Sequence, residues 1–133
     1  MARIQPDLRR SEERKRRLLS DDVPVGDRAR ALARNLHVLT VMFPDSEKPL
    51  LGMQLRNAAI ELVTEAVVAG ATDDPAEKQE MLRLAAVNCT RIRELVQLAR
   101  ELDHLPEDNV AELIAAVEVI NATIARERRT ARY

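Results

Sequence analysis

Four stretches of this chain place apolar residues three and four positions apart, with prolines and turn residues at the boundaries between the stretches. This spacing puts the apolar side chains on one face of an α-helix, because one turn takes 3.6 residues. A proline suits the first turn of a helix and pushes the residue before it out of the helical region. The pattern therefore predicts four amphipathic helices that bury their apolar faces against one another.

The turns set the expected helix boundaries. Helix one ends before Phe43-Pro44, Pro49 lies near the first turn of helix two, and Asp74-Pro75 caps helix three. The predicted helices cover residues 27–42, 49–70 and 76–102, with a fourth ending near residue 129. Short connections favour antiparallel neighbours. The expected fold is all-α: an antiparallel up-down-up-down four-helix bundle in residues 26–133 behind a basic N-terminal arm in residues 1–25.

Composition supports a single helical domain. The 133 residues are 46% hydrophobic, which is enough for one continuous core, but aromatic residues make up only 2%. Strands draw heavily on aromatic and β-branched residues in alternation, and no long alternation of apolar and polar residues is present. A β-rich fold is therefore not expected.

Charge is unevenly distributed along the chain. Residues 1–20 hold seven basic and three acidic side chains, and residues 126–133 hold four and one, whereas residues 21–125 carry ten basic and eighteen acidic groups. Basic segments commonly contact phosphate backbones, and a solvated charge run is the alternative. The arm contains six basic side chains that are candidates for such contacts: Arg9, Arg10, Arg14, Lys15, Arg16 and Arg17.

Helix two carries two apolar stripes. One runs through Leu55 and Leu62, and the second consists of Ile60, Val63 and Val67. A helix with two apolar faces contacts more than one neighbour, which indicates either an oligomer contact or a wide core face.

Residue patterns for catalysis or metal binding are weak. Cys89 lies on the expected core stripe of helix three, His37 and His104 lack the spacing of a metal site, and three scattered glycines cannot make a phosphate-binding loop. Glu61 and Glu65 lie four residues apart, as a solvated pair or as partners for arginines of a neighbouring helix. We expect no enzyme activity, no metal and no cofactor.

The expected location is the cytoplasm. A lone cysteine suits a reducing compartment, and the chain contains no run of about 18 uncharged apolar residues that could span a bilayer.

The arginines of helix three allow two interpretations, either surface ion pairs or a strip that binds the backbone of RNA or DNA. They are Arg83, Arg91, Arg93 and Arg100.

The chain resembles a bacterial four-helix bundle superfamily over residues 29–127. The resemblance lies in Phe43-Pro44, in Gln54-Leu55-Arg56-Asn57-Ala58-Ala59 with Glu61-Leu62-Val63, in Arg91-Ile92-Arg93 with Leu95-Val96-Gln97-Leu98-Ala99 and Leu102, and in residues 113–124. This superfamily contains the proteins encoded in intervening sequences of ribosomal RNA genes and the accessory variability determinant (Avd) of diversity-generating retroelements.

The Avd branch is the better match. Residues 92–99 approximate its Leu-Arg-x-Leu-Leu-Arg-Leu-Ala run, and residues 65–70 differ from the Asn-Ile-Ala-Glu-Gly ending of the ribosomal branch. The resemblance implies a non-catalytic homopentamer that binds a reverse transcriptase and its template RNA and supports mutagenic cDNA synthesis. It implies Arg91 and Arg93 as contacts to RNA or to the polymerase, and with it the basic residues of the arm become candidates for the same contacts. The alternatives are a protein of the ribosomal intervening-sequence type or a purely structural self-assembling bundle.

Overall fold

The fold is a computed structural model that describes residues 23–130. Those residues form no strand and contain four α-helices: α1 (Val25–Thr40), α2 (Met53–Ala71), α3 (Pro75–Glu101) and α4 (Glu107–Thr130). Each helix packs against the next along the chain, and α1 also packs against α4. The predicted antiparallel four-helix bundle is thereby confirmed. Residues 1–22 of the expected arm, with all its candidate contacts, lie outside the described residues, as do residues 131–133.

The first helix is shifted by two residues from its prediction. It begins at Val25, where the Pro24 carbonyl accepts hydrogen bonds from the backbone N–H groups of residues 27 and 28. It begins this early because Val23 and Val25 are both buried in the bundle. It ends at Thr40, not Met42, since the next N–H groups bond three residues back in a tight turn before Phe43-Pro44.

The second helix is preceded by a π-helical turn, Lys48–Gly52. Pro49 lies in the first turn of this segment, as predicted, where its missing N–H costs no intrahelical bond. The Gly52 N–H instead donates to the Glu47 carbonyl, five residues back, at 3.0 Å. This wider turn leads directly into α2 and holds its beginning near the end of α1.

Helix three begins as predicted and ends in a specific motif. The Asp74 side chain accepts a hydrogen bond from the Ala76 N–H at 3.0 Å, with Pro75 at the first helical position. At the other end the His104 N–H donates to the Ala99 carbonyl at 2.8 Å, and Asp103 has a φ of 60°. This is a Schellman motif with an aspartate at the left-handed position usually taken by glycine.

The core runs the whole length of the bundle. All four helices contribute side chains that are buried almost completely, and the Phe43 ring closes one end by lying 5.5 Å from the His104 ring. The largest fully buried apolar side chains are Leu36, Leu55, Leu62, Leu82, Ile92, Val96, Leu113, Ile120 and Ile124. Burying each such side chain contributes about 1.5–3 kcal/mol to the free energy of folding, so this core is the main source of stability.

Candidate interaction surfaces

Polar side chains connect α2 to α3. The Arg91 guanidinium on α3 donates to Oε1 of Gln54 at 2.6 Å and to Oε2 of Glu61 at 3.3 Å, both on α2. One turn away, Asn88 Nδ2 donates to Oε1 of Glu65 at 2.5 Å. Glu61 is therefore a partner for an arginine on a neighbouring helix, one of the two interpretations of its spacing. These bonds span the contact between the two helices along two successive turns of α3.

Burial changes the pKa values of two groups at or beside these hydrogen bonds. Burial raises the pKa of Glu65, the hydrogen bond from Asn88 lowers it in part, and nearby Glu61 raises it further. Burial in the core, with a smaller effect of Glu65, raises the pKa of the Cys89 thiol to about 12. Cys89 is only 1% exposed, so its expected place in the core is confirmed. A thiol in this state is a poor nucleophile at neutral pH.

The outward face of α2 carries an apolar stripe. Met53, Ile60 and Val67 recur every seven residues and are 45%, 61% and 38% exposed. We call these three residues the α2 seam. Within one chain, Ile60 and Val67 are exposed, so the interpretation of this stripe as part of a wide core face is wrong for these two residues. Val63, the third residue of the stripe, does pack partly against the core. Residues seven positions apart lie on nearly the same side of a helix, so these three side chains form one apolar stripe on the surface.

A second apolar surface lies at the end of the bundle where α1 and α3 finish. Arg56 joins this end together, since its guanidinium donates to Thr40 Oγ1 at 3.1 Å and to the Lys48 carbonyl at 3.4 Å. Six large apolar side chains here are between 43% and 65% exposed, and we call them the apolar end: Val38, Val41, Met42, Leu50, Leu98 and Leu102. Met53 of the α2 seam is the first residue of α2 and therefore lies at this same end of the bundle.

Two of these residues correct the sequence interpretation. The three- and four-residue spacing along α3 predicts that Leu102 lies on the same core stripe as Cys89 and that Leu98 widens this stripe, yet they are 47% and 43% exposed. Leu98 lies nine residues after Cys89, which puts it on the opposite side of the helix from that buried residue, and Leu102 is the C-cap where the helix stops. Val41, Met42 and Leu50 were missed because they flank a turn and belong to no helical stripe.

The arginines of α3 lie among carboxylates. Arg83 pairs with Glu80 at 2.8 Å, Arg93 lies 3.7 Å from Glu94, and Arg100 lies 3.5 Å from Glu107. Arg91 pairs with Glu61, as described above. These contacts fit the ion-pair interpretation, although the Arg93 side chain is still 47% exposed. The two candidates Arg91 and Arg93 are thus differently placed, one held against α2 and the other facing solvent.

The histidines take no part in a shared site. His37 is exposed on α1, and half-buried His104 lies against Phe43. Among residues 23–130 no three His, Cys, Asp or Glu side chains converge as metal ligands would, and none of the four helices is long and apolar enough to cross a membrane.

Comparison of the chain with protein-family models and with curated proteins finds no match. The resemblance to Avd therefore stays a prediction carried by the quoted motifs.

Proposed function

We propose that this protein is a non-catalytic accessory subunit that assembles with itself and binds a retroelement reverse transcriptase and its template RNA, supporting mutagenic cDNA synthesis. The observation that carries the assembly part is the α2 seam together with the apolar end. Isolated apolar residues on a surface are ordinary, but a contiguous set is typical of an interaction site.

The choice of partners comes from the motif resemblance and from the charge pattern. The Avd-like motifs imply a pentamer, a reverse transcriptase and RNA as partners. The basic segment of residues 1–20 supplies charge that can neutralise phosphates, and Arg93 adds an exposed guanidinium on α3. A cytoplasmic location fits such a role.

A purely structural self-assembling bundle is the second candidate. It is favoured by the ion pairs of Arg83, Arg91 and Arg100, because these arginines already pair with carboxylates of the same chain.

A protein of the ribosomal intervening-sequence type is the third candidate, and the genes beside this one distinguish it from the first. A neighbouring reverse-transcriptase gene supports the first proposal, and a position inside a ribosomal RNA gene contradicts it.

The experiment that tests the proposal is a light-scattering mass of the purified protein, alone and with the neighbouring reverse transcriptase and its RNA, at low and high salt. We expect an oligomer whose mass rises on adding polymerase and RNA, with the RNA contribution lost at high salt because counterions compete for phosphates. An oligomer that ignores both additions supports the structural candidate. A monomer that ignores both contradicts the assembly claim itself.

A further inference from the structure

The two chain connections at the apolar end are held against each other. One joins α1 to α2, and the other joins α3 to α4. The Phe43 ring of the first lies 5.5 Å from the His104 ring of the second, and the Arg56 guanidinium bonds the first to the end of α1. Met42 directly precedes Phe43, and Leu102 lies two residues before His104. The exposed apolar side chains of both connections therefore share one surface.

The same end carries an excess of negative charge. Residues 38–53 and 98–108 contain two cations, Lys48 and Arg100, and six carboxylates: Asp45, Glu47, Glu101, Asp103, Glu107 and Asp108. Lys48 lies 3.0 Å from Asp45, and Arg100 lies 3.5 Å from Glu107, so four carboxylates remain in excess. The opposite end of the described bundle is nearly balanced, with five carboxylates and six cations in residues 23–30, 71–78 and 123–130. The two ends of the bundle therefore differ in charge.

This charge narrows the kinds of partner that the apolar end fits. RNA and anionic membranes present phosphates, which an excess of carboxylates repels. Two copies that met end to end would bring the same negative charges together, which is also unfavourable. A protein segment with apolar side chains flanked by lysines or arginines matches both parts of the surface, because interfaces commonly combine an apolar centre with a polar rim.

We propose that the apolar end docks a cationic amphipathic segment of a partner protein. Its aliphatic side chains lie on Met42, Leu50 and Leu102, and its lysines or arginines face the carboxylates of the same end. This inference rests on the proposed function only where it names the carrier of the segment, the reverse transcriptase. It deepens that function by giving the two apolar surfaces different partners, since the α2 seam then serves the contact between copies.

The first test measures binding of a fluorescein-labelled helical peptide to the full chain by anisotropy. The peptide carries leucines at three- and four-residue spacing and lysines at the other positions. We expect it to bind, and we expect weaker binding when glutamates replace its lysines or when alanines replace its leucines. Equal binding of either control peptide overturns the inference, and so does a failure of the lysine peptide to bind.

The substitution Met42→Gln tests the apolar centre of the surface. Met42 is 65% exposed in the free chain, so a bound segment can bury most of its side chain. Loss of that burial is expected to raise the dissociation constant of the lysine peptide about 5- to 30-fold. The matched control is Val87→Gln, on a 54% exposed side chain of α3, and it is expected to leave the binding unchanged. Equal weakening by both variants means that the peptide binds to no particular surface, which overturns the inference.

The carboxylates are tested by neutralising three of them together: Glu47→Gln, Glu101→Gln and Asp103→Asn. We expect this variant to weaken binding by at least about 3-fold at low salt and by less at high salt, because salt screens exposed charges. The matched control neutralises three exposed carboxylates elsewhere on the bundle: Asp73→Asn, Glu77→Gln and Glu118→Gln. An equal effect of this control shows that only the net charge of the protein matters, which also overturns the inference.

Two further measurements separate the inference from the proposed function. A lower light-scattering mass of the Met42→Gln protein alone assigns the apolar end to a second copy, which overturns the inference and leaves self-assembly standing. Equal binding of the reverse transcriptase to Met42→Gln and to the unmodified chain also overturns it, with the proposed function standing. Binding of the peptide but not of the polymerase supports the docking surface and contradicts the proposed function. Circular dichroism of each variant checks that the helices are intact, so that weaker binding reports a lost contact.

Discussion

The substitution Ile60→Glu tests the α2 seam most sharply. Ile60 is 61% exposed in the single chain, so the change removes little from the core, and glutamate is a good helix former. The free energy of unfolding of the monomer should therefore change by no more than about 0.5 kcal/mol. Any larger effect has to arise where two chains meet.

The size of that effect follows from the exposed fraction. Full burial of an isoleucine side chain is worth about 1.5–3 kcal/mol, and the 61% left exposed corresponds to about 1–2 kcal/mol for each interface that covers it. This predicts a dissociation constant raised by about 5- to 30-fold, because 1.4 kcal/mol is a factor of ten. Desolvation of the new carboxylate adds to the loss.

Sedimentation equilibrium over a range of protein concentrations measures this shift. The matched control is Val87→Glu, which places the same charge on a 54% exposed side chain of α3 and should leave the association unchanged. Equal weakening by both variants would show that added charge alone is responsible. No weakening by Ile60→Glu would refute the assignment of the seam as an interface.

Three further predictions concern stability and reactivity. Glu65→Gln should stabilise the protein at neutral pH, since the raised pKa of Glu65 means that the native state favours the protonated carboxyl. The stability contributed by this group is present below its unfolded pKa and is lost as pH rises through the folded value, so urea melts of the unmodified chain and the variant should converge at acid pH; a gap that widens there contradicts the account. Asp103→Gly should raise the free energy of unfolding by about 0.5–1 kcal/mol, because glycine adopts the φ of 60° without the steric cost, and an unchanged or lower thermal midpoint would show that the aspartate contributes something else. Cys89 should react with a disulfide reagent at pH 8 only after unfolding, given its burial and a pKa of about 12; rapid labelling of the native protein would mean that the core opens readily.

Local sequence signals predicted the helices well. Phe43-Pro44, Asp74-Pro75 and the three- and four-residue spacing of Leu32, Leu36 and Leu39 each act within one helix or turn, so they can be recognised without knowing the fold. The boundary at Val25 was missed because its burial depends on the assembled bundle. The π-helical turn before α2 and the left-handed Asp103 carried no specific sequence signal.

The interaction surfaces were only half predictable. The spacing of Ile60 and Val67 showed a second apolar stripe on α2, but only the packing shows that this stripe faces outward. Leu98 and Leu102 were assigned to the core because periodicity does not reveal where a helix ends or which edge of a stripe its neighbours cover. The contact of Arg91 with Gln54 and Glu61 joins residues 30 or more positions apart, which no single helix can indicate.

The most direct test of the central claim is the light-scattering mass of the purified, unmodified protein at several concentrations. The chain weighs 15.0 kDa, and the account predicts a stable multiple of this mass, near five chains if the resemblance to Avd holds. A mass of one chain at every concentration, with the α2 seam and the apolar end left in water, would contradict it.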